Sequence, residues 1–475
     1  MKRERRVLFL PHQVEGTAFI SERAASALFD EQGLGKTKQL IDSVARDVQR
    51  GIIAGAVVVC PNTLKSTWAA EVERHSELPY AVFGAGKRAR RVAFSSLKAI
   101  FYIINYEAVV REVSSLRALL RFKRMAFVLD ESHRIKNPDA KVSQALHQLN
   151  KEASKRVIMT GTPIANRPED LWSQVFFLDD GATFGSSFED FRERYRTASG
   201  GYVGLEDFRQ RVASISLRRT KEEALTLPSK KVTYLSVRLK GRQGEMYERM
   251  RRDLYLWVKS LSGQEVLAQA ENILVRLLRL AQLASNPRLL DASYAETPAK
   301  IAALDLKVRQ VLDSTPERKV ILWTSFVANI AMLGERYARF RPVTFHGDMA
   351  GEERDRSVSA FTSDASVRMF IGNPAAGREG LTLTSANVAI YLDRTFNLVD
   401  YLQSQDRIHR LTQDLPCEIV LLLAEDTVDE FIDFSLAQKH RLARFAQRDV
   451  DVISKGDLAL RKPDILRALL GARVS

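Results

Sequence analysis

The amino-acid sequence predicts an α/β protein of two lobes, each a parallel sheet covered by helices, with a helical insertion between them and a helical C-terminal tail. Two separate strand–helix alternations with a helical stretch between them predict this arrangement. Length agrees: 475 residues exceed what a single hydrophobic core sustains, so two or three domains are expected.

The first alternation covers residues 25–178. SALF precedes GKTKQLIDSVARDVQ, GAVVVCP precedes STWAAEVERH, and FYIINY, MAFVLD and RVIMT follow as further short apolar runs. Alternation of this kind argues for a parallel sheet with helices on both faces. Residues 181–298 then carry Arg, Glu and Leu at helical spacing, as in FEDFRERYR and ENILVRLLRLAQLA, and read as a helical insertion. A second alternation follows over residues 300–423, with the strands VILWTS, PVTFHG, RMFIG, VAIYLD and EIVLLLA. DTVDEFIDFSLAQKHRLARFAQ and a basic tail close the chain as helix. The expected organisation is therefore a first lobe at 1–180, an insertion and inter-lobe linker at 181–298, a second lobe at 299–435 and a helical basic segment at 436–475.

Charge and cysteine content narrow the function classes. With 72 Lys plus Arg against 58 Asp plus Glu, the net charge of +14 points to a polyanionic partner, nucleic acid before membrane. Cys60 and Cys417 stand far apart at the edges of apolar runs, which builds neither a disulfide framework nor a zinc site. The apolar run in MKRERRVLFLP is too short for a signal peptide, and no stretch reaches membrane-span length. An intracellular, soluble protein is expected.

Three motifs carry chemistry. DEQGLGKT keeps the Gly-Lys-Thr of a phosphate loop, but Asp30 stands where the template asks for its first glycine. Its working parts are present: Gly33, Leu34 and Gly35 can turn backbone N–H groups to phosphates, Lys36 can reach the outer oxygens, and Thr37 can ligate Mg²⁺. A plain glycine turn before a helix is the other reading. MAFVLDESH ends an apolar run in Asp130 and Glu131, one carboxylate suited to Mg²⁺ and one to orienting or deprotonating water; a solvated turn would look the same. QSQDRIHR holds Arg407 and Arg410 three apart, so on a helix both would leave one face and could approach a γ-phosphate. A solvated helix face has the same spacing.

Taken together these segments resemble the Swi/Snf family of superfamily-two helicase-like ATPases. LPHQVEG is similar to the family's adenine-reading segment, with Gln13 in the glutamine position and His12 where the family often has Tyr. DEQGLGKT resembles the family's DE-x-GLGKT loop, which accounts for Asp30, and DESH its DE-x-H box with Ser132 as a less usual filler. VVVCPNTLKSTWAAEVERH and IINYE resemble its next segments, MTGTPIANRPEDLW its LTGTP-I-x-N motif, and LRRTKEEALTLPSK its LRR-x-K segment. In the second lobe VILWTSF, TFHG and GREGLTLTSANVAIYLD match further motifs. RTFNL resembles the WNP element with Phe396 and Leu398 substituted, and QSQDRIHRLTQ the arginine motif. The resemblance covers residues 8–435.

It implies two RecA-like lobes around ATP and Mg²⁺, with Lys36, Glu131, Arg407 and Arg410 as catalytic residues. Gln13, Gly33, Leu34, Gly35, Lys36, Thr37, Asp130, Glu131, Gly380, Arg407 and Arg410 would bind the nucleotide, and Thr37 and Asp130 the metal. It also implies a monomeric motor on double-stranded DNA that remodels DNA or protein–DNA complexes, with other DNA-bound proteins as partners. Its setting would be nuclear in a eukaryote and the nucleoid in a prokaryote or virus. DNA contacts are expected at Lys65, Thr160, Thr162, Arg378 and Thr382, and mainly to the backbone, giving weak sequence preference and strong salt dependence. Trp68 and Trp172 fit apolar helical patterns and are assigned to the core. The alternatives are a strand-separating helicase, for which no wedge element stands out, and a non-enzymatic DNA-binding scaffold, which predicts loss of Lys36, Glu131 or an arginine.

Overall fold

A computed structural model describes residues 10–447 and 449, except 85, 96, 97, 165, 198–200, 316, 379 and 380, with only the backbone of 95, 263, 264, 267 and 378. The described residues fall into two compact units. The first runs to Thr226 and takes in the chain again from Arg441, and the second spans Leu227–His440. No described helix is long and apolar enough to cross a membrane.

Seven parallel strands form the sheet of the first unit: β1 (Ala25–Leu28), β2 (Gly55–Cys60), β3 (Tyr80–Val82), β4 (Phe101–Asn105), β5 (Met125–Asp130), β6 (Lys155–Met159) and β7 (Ser216–Leu217). Their order is β3-β4-β2-β5-β6-β1-β7. Both faces are covered, so β2 and β5 are buried at every residue and read as continuous apolar runs rather than alternating ones. Val57 and Val59 pack into one core while Ala56, Val58 and Cys60 pack into the other, as the two-residue period of a strand requires. Three helices matter for the site: α1 (Pro11–Ser21), α2 (Lys36–Gln49) and α3 (Lys65–His75).

The second unit holds six parallel strands, β8 (Lys230–Val237), β9 (Val320–Trp323), β10 (Val343–Phe345), β11 (Met369–Gly372), β12 (Val388–Tyr391) and β13 (Cys417–Ala424). The order is β10-β11-β9-β12-β13-β8. The fold class is the expected α/β architecture of two parallel sheets with many helices.

The stretch 181–298 divides between the units. Helices Phe188–Tyr195 and Leu205–Ile215 bury Phe191, Tyr195, Phe208 and Val212 in the first core. Helices Gly241–Ser260 and Ala270–Ser285 bury Tyr247, Leu254, Leu277 and Leu280 in the second unit, against Phe431 and Leu436 of the helix Val428–Ala446. The stretch also contains β7 and β8, which the helical reading misses. β7 has two residues, and β8 (KKVTYLSV) is an edge strand with exposed and half-buried positions, so neither shows an apolar run. Beyond Asp449 the expected helical tail lies outside the described residues.

Candidate active site

β6 pairs with both β1 and β5, so the carboxyl ends of these three strands lie side by side. In open parallel sheets ligands bind outside such ends. The loops leaving them carry residues 30–37, 130–133 and 160–163. In the first loop Gly33 and Gly35 have φ of 88° and 76°, the left-handed region that glycine enters without steric cost. A Cβ on Gly35 would meet Gln13 Nε2 at 2.3 Å. α2 starts at Lys36 without a side-chain cap, leaving first-turn N–H groups directed at the loop, and Thr37 is its second residue.

Lys36 Nζ donates to the carbonyls of Asp30 (2.7 Å) and Glu31 (3.1 Å). Burial pushes its pKa below the ordinary lysine value, against the pull of the Glu131, Asp30 and Asp130 carboxylates. Asp30, in the place of a template glycine, turns inward and is fully buried. It receives Arg219 at both oxygens (3.0 and 2.6 Å) and Gln39 Nε2 at 3.1 Å. From α1, His12 Nε2 lies 3.0 Å and Gln13 Nε2 3.4 Å from the Leu34 carbonyl. Gln13 Oε1 is buried without a hydrogen-bond donor.

Asp130 ends β5, and Glu131 follows in the left-handed region at φ 52°, a strained conformation that a non-glycine residue holds only when its surroundings fix it. They do so on three sides. Thr160 Oγ1 donates to Glu131 Oε2 at 3.1 Å, His133 Nδ1 lies 3.3 Å from the same oxygen, and Gln32 Nε2 is 3.5 Å from Oε1. Burial would raise the Glu131 pKa, but His133, Lys36 and Thr160 together bring it down to about 2. Asp130 moves the other way: burial and the neighbouring Glu131 raise it to about 7, against hydrogen bonds from Trp68 and the Glu131 N–H and the charge of Lys36. The bonds from Thr160 and His133 thus favour the anion on Glu131, while burial beside that charge disfavours it on Asp130.

The third loop carries Thr160 and Thr162, two of the residues expected to contact DNA. Thr160 is fully buried, with its hydroxyl spent on Glu131. Thr162 Oγ1 is covered by protein, and the Thr162 N–H donates to Thr160 Oγ1 at 3.2 Å. Both hydroxyls are therefore withdrawn from the surface. Ser132 gains a role instead: its hydroxyl donates to Gln174 Oε1 at 2.7 Å, and Gln174 Nε2 donates to the Pro163 and Asp170 carbonyls. That chain ties the second loop to the third. Lys65 opens α3 and donates to the Phe83 carbonyl at 2.8 Å. Trp172 stacks on Phe176 in the core, as expected.

In the second unit Arg407 and Arg410 do not share a helix. The helix Leu398–Gln405 ends before them: the Arg407 and Ile408 N–H groups bond three residues back, to the Ser404 and Gln405 carbonyls (both 3.3 Å), and the Arg407 carbonyl accepts from the Leu383 N–H (2.9 Å). The two arginines meet at the 381–382 segment: Arg407 Nη1 donates to the Leu381 carbonyl at 3.1 Å and Arg410 Nη1 to Thr382 Oγ1 at 2.8 Å. Arg407 is only 2% exposed. Burial lowers the Arg410 pKa against the pull of Asp406. Gly380 lies outside the described residues, as does the side chain of Arg378.

Gln32, Trp68, Gln174 and Arg219 all touch this machinery without having been singled out for it. Gln32, Trp68 and Arg219 each sit in a segment with its own signal, DEQGLGKT, VVVCPNTLKSTWAAEVERH and LRRTKEEALTLPSK, whereas Gln174 lies outside those segments and enters through tertiary contacts. An SNF2-related domain model matches residues 12–289, more than half of the chain, and a helicase conserved C-terminal domain model matches residues 303–412. The chain belongs to the SNF2-related family.

Among SNF2-related proteins it is similar to chromodomain-helicase-DNA-binding protein 1-like of Danio rerio, 27% identical over 91% of this chain and 43% of that relative. It also resembles the ISWI chromatin-remodeling complex ATPase ISW1 of Saccharomyces cerevisiae, 26% identical over 96% of this chain and 41% of that protein. An uncharacterized ATP-dependent helicase of Mycoplasma pneumoniae is 26% identical over 91% of this chain and 41% of its own length. The chain thus spans less than half the length of these three SNF2-related relatives. Among solved structures, the Sulfolobus solfataricus SWI2/SNF2 ATPase core in complex with dsDNA is 25% identical, covering 97% of this chain and 96% of that one with a TM-score of 0.44.

Proposed function

We propose that this SNF2-related chain hydrolyses ATP to ADP and phosphate and uses the cycle to move along double-stranded DNA, remodelling DNA or protein–DNA complexes without obligatory strand separation. The observation that carries this reading is the meeting of Lys36, Asp130, Glu131 and Thr160 at three adjacent strand ends. Glu131, held as the anion, is the base or orienting group for the attacking water. Lys36 and the first-turn N–H groups of α2 receive the phosphates, and Gln13 Oε1, which has no donor of its own, suits an adenine amino group.

Mg²⁺ fits the residues present. Thr37 offers a hydroxyl and Asp130 a carboxylate, hard oxygen donors of the kind Mg²⁺ takes, and the buried Asp130–Glu131 pair favours a neighbouring cation. When bound, the ion would neutralise phosphate charge. Arg407 and Arg410 are assigned to stabilising charge on the transferred phosphoryl group, and Lys65 and Thr382 to the DNA backbone. A monomeric motor in an intracellular setting belongs to the same reading.

The test is ATP turnover measured with duplex DNA, single-stranded DNA and structured RNA. Duplex DNA is expected to stimulate most, and stimulation by RNA alone would overturn the proposal. A forked duplex separates the helicase alternative, because free single strands as product would favour it.

A further inference from the structure

Trp68 lies in the first turn of α3, three residues after Lys65. Its ring packs with Leu64, Val72, Ile103 and Val128 in the core and is 1% exposed. A buried indole N–H needs an acceptor, and here the acceptor is the carboxylate that ends β5: Trp68 Nε1 donates to Asp130 Oδ2 at 2.8 Å. The other oxygen, Oδ1, receives the Glu131 N–H at 3.0 Å, and the Tyr106 hydroxyl holds the Asp130 carbonyl at 2.7 Å. Each carboxylate oxygen accepts more than one bond, so these donors fix the plane of the group while leaving lone pairs for a ligand. Of the two donors on the carboxylate, the Glu131 N–H is local backbone. The indole alone comes from a distant side chain.

We propose that Trp68 is a positioning residue for the metal site, orienting Asp130 through the indole N–H; this rests on the assignment of Asp130 to Mg²⁺ made above. Partners that orient a metal-binding carboxylate typically contribute ten- to a hundredfold to metal affinity. A tryptophan that merely filled the core would contribute through its ring alone. The two roles separate when the N–H is removed and the ring kept.

The experiment replaces Trp68 by 3-benzothienylalanine, in which sulfur takes the place of the N–H, alongside Trp68→Phe as a genetically encoded counterpart. Binding of a fluorescent ADP analogue is titrated against Mg²⁺ and repeated in EDTA. The expected result is an Mg²⁺ requirement raised by about tenfold or more, with affinity in EDTA and the thermal midpoint of the benzothienyl variant close to wild type. An unchanged Mg²⁺ requirement in that folded variant overturns the proposal, as does an equal loss of affinity with and without Mg²⁺. Wild-type binding indifferent to Mg²⁺ would remove the metal assignment itself, and Trp68's role with it.

Discussion

Arg219 lays its guanidinium along the carboxylate of Asp30, with Nε 3.0 Å from Oδ1 and Nη2 2.6 Å from Oδ2. The same side chain donates to the His12 carbonyl, to Glu15 Oε2 at 3.1 Å and to Gln39 Oε1 at 3.0 Å. One arginine from the LRR-x-K segment thereby clasps α1, the phosphate-type loop and α2. The aspartate in a glycine position is the anchor of that clasp.

Asp30→Gly, which restores the phosphate-loop template, is therefore expected to harm the protein. Arg219 would lose both oxygens of its buried carboxylate partner and keep only the exposed Glu15 as an ion-pair partner, and breaking such a largely buried pair costs on the order of 3 kcal/mol. Urea denaturation followed by circular dichroism measures it; a variant as stable as wild type would show that the clasp is not structural.

Glu131→Gln keeps the shape of the side chain and removes the anion. Turnover is expected to fall by about 10²- to 10⁴-fold, the usual contribution of a general base, with ATP binding retained. Lys36→Ala should weaken binding and turnover together. Equilibrium binding of a fluorescent nucleotide beside a phosphate-release assay distinguishes the two, and normal turnover in either would undo the site assignment.

Arg407→Lys and Arg410→Lys retain the charge but lose the guanidinium fork. Each is expected to lower turnover by roughly a thousandfold, as for other phosphoryl-transfer arginines, while nucleotide affinity changes little. Single-turnover kinetics on protein with wild-type circular dichroism is the appropriate measurement. Losses of only a few-fold would return the pair to a structural role.

His147 supplies a pH dependence away from the site. It donates to the Ser173 carbonyl at 2.9 Å and packs against Phe176 at a ring distance of 4.8 Å. Burial lowers its pKa below 6.5, against the Ser173 bond and the Asp180 charge. Because the unfolded chain then binds the proton more tightly, its contribution to stability is fully present above the unfolded value and is lost as pH falls through the folded one. Urea midpoints measured between pH 8 and pH 5 should decline toward acid, and His147→Gln should flatten that decline. An identical slope in the variant would rule His147 out as its source.

Much of the site was legible because phosphate loops and strand-end carboxylates are local patterns. Gly33, Gly35, Lys36, Asp130 and Glu131 could be named from spacing within a few residues, and the strands carrying them are unbroken apolar runs. The geometry of the arginine pair differs from the one-face reading: a three-residue interval implies one helical face only if the helix continues, and after Gln405 the N–H groups of Arg407 and Ile408 bond three residues back instead of four. The threonines of MTGTP looked like surface hydroxyls, but Thr160 is fully buried against Glu131 and Thr162 Oγ1 is enclosed.

By itself the sequence determined the two parallel sheets, the family resemblance and the residue types able to bind and hydrolyse a nucleoside triphosphate. These depend on periodicity and short motifs, which neighbouring residues set. Only the tertiary structure decided which buried polar groups hold those residues in place. Arg219 on Asp30, Trp68 on Asp130, Thr160 on Glu131 and Gln174 on Ser132 all join segments distant in the chain. Their physical cause is the cost of leaving a buried donor or charge unpaired, and a partner is known only once the chain has packed.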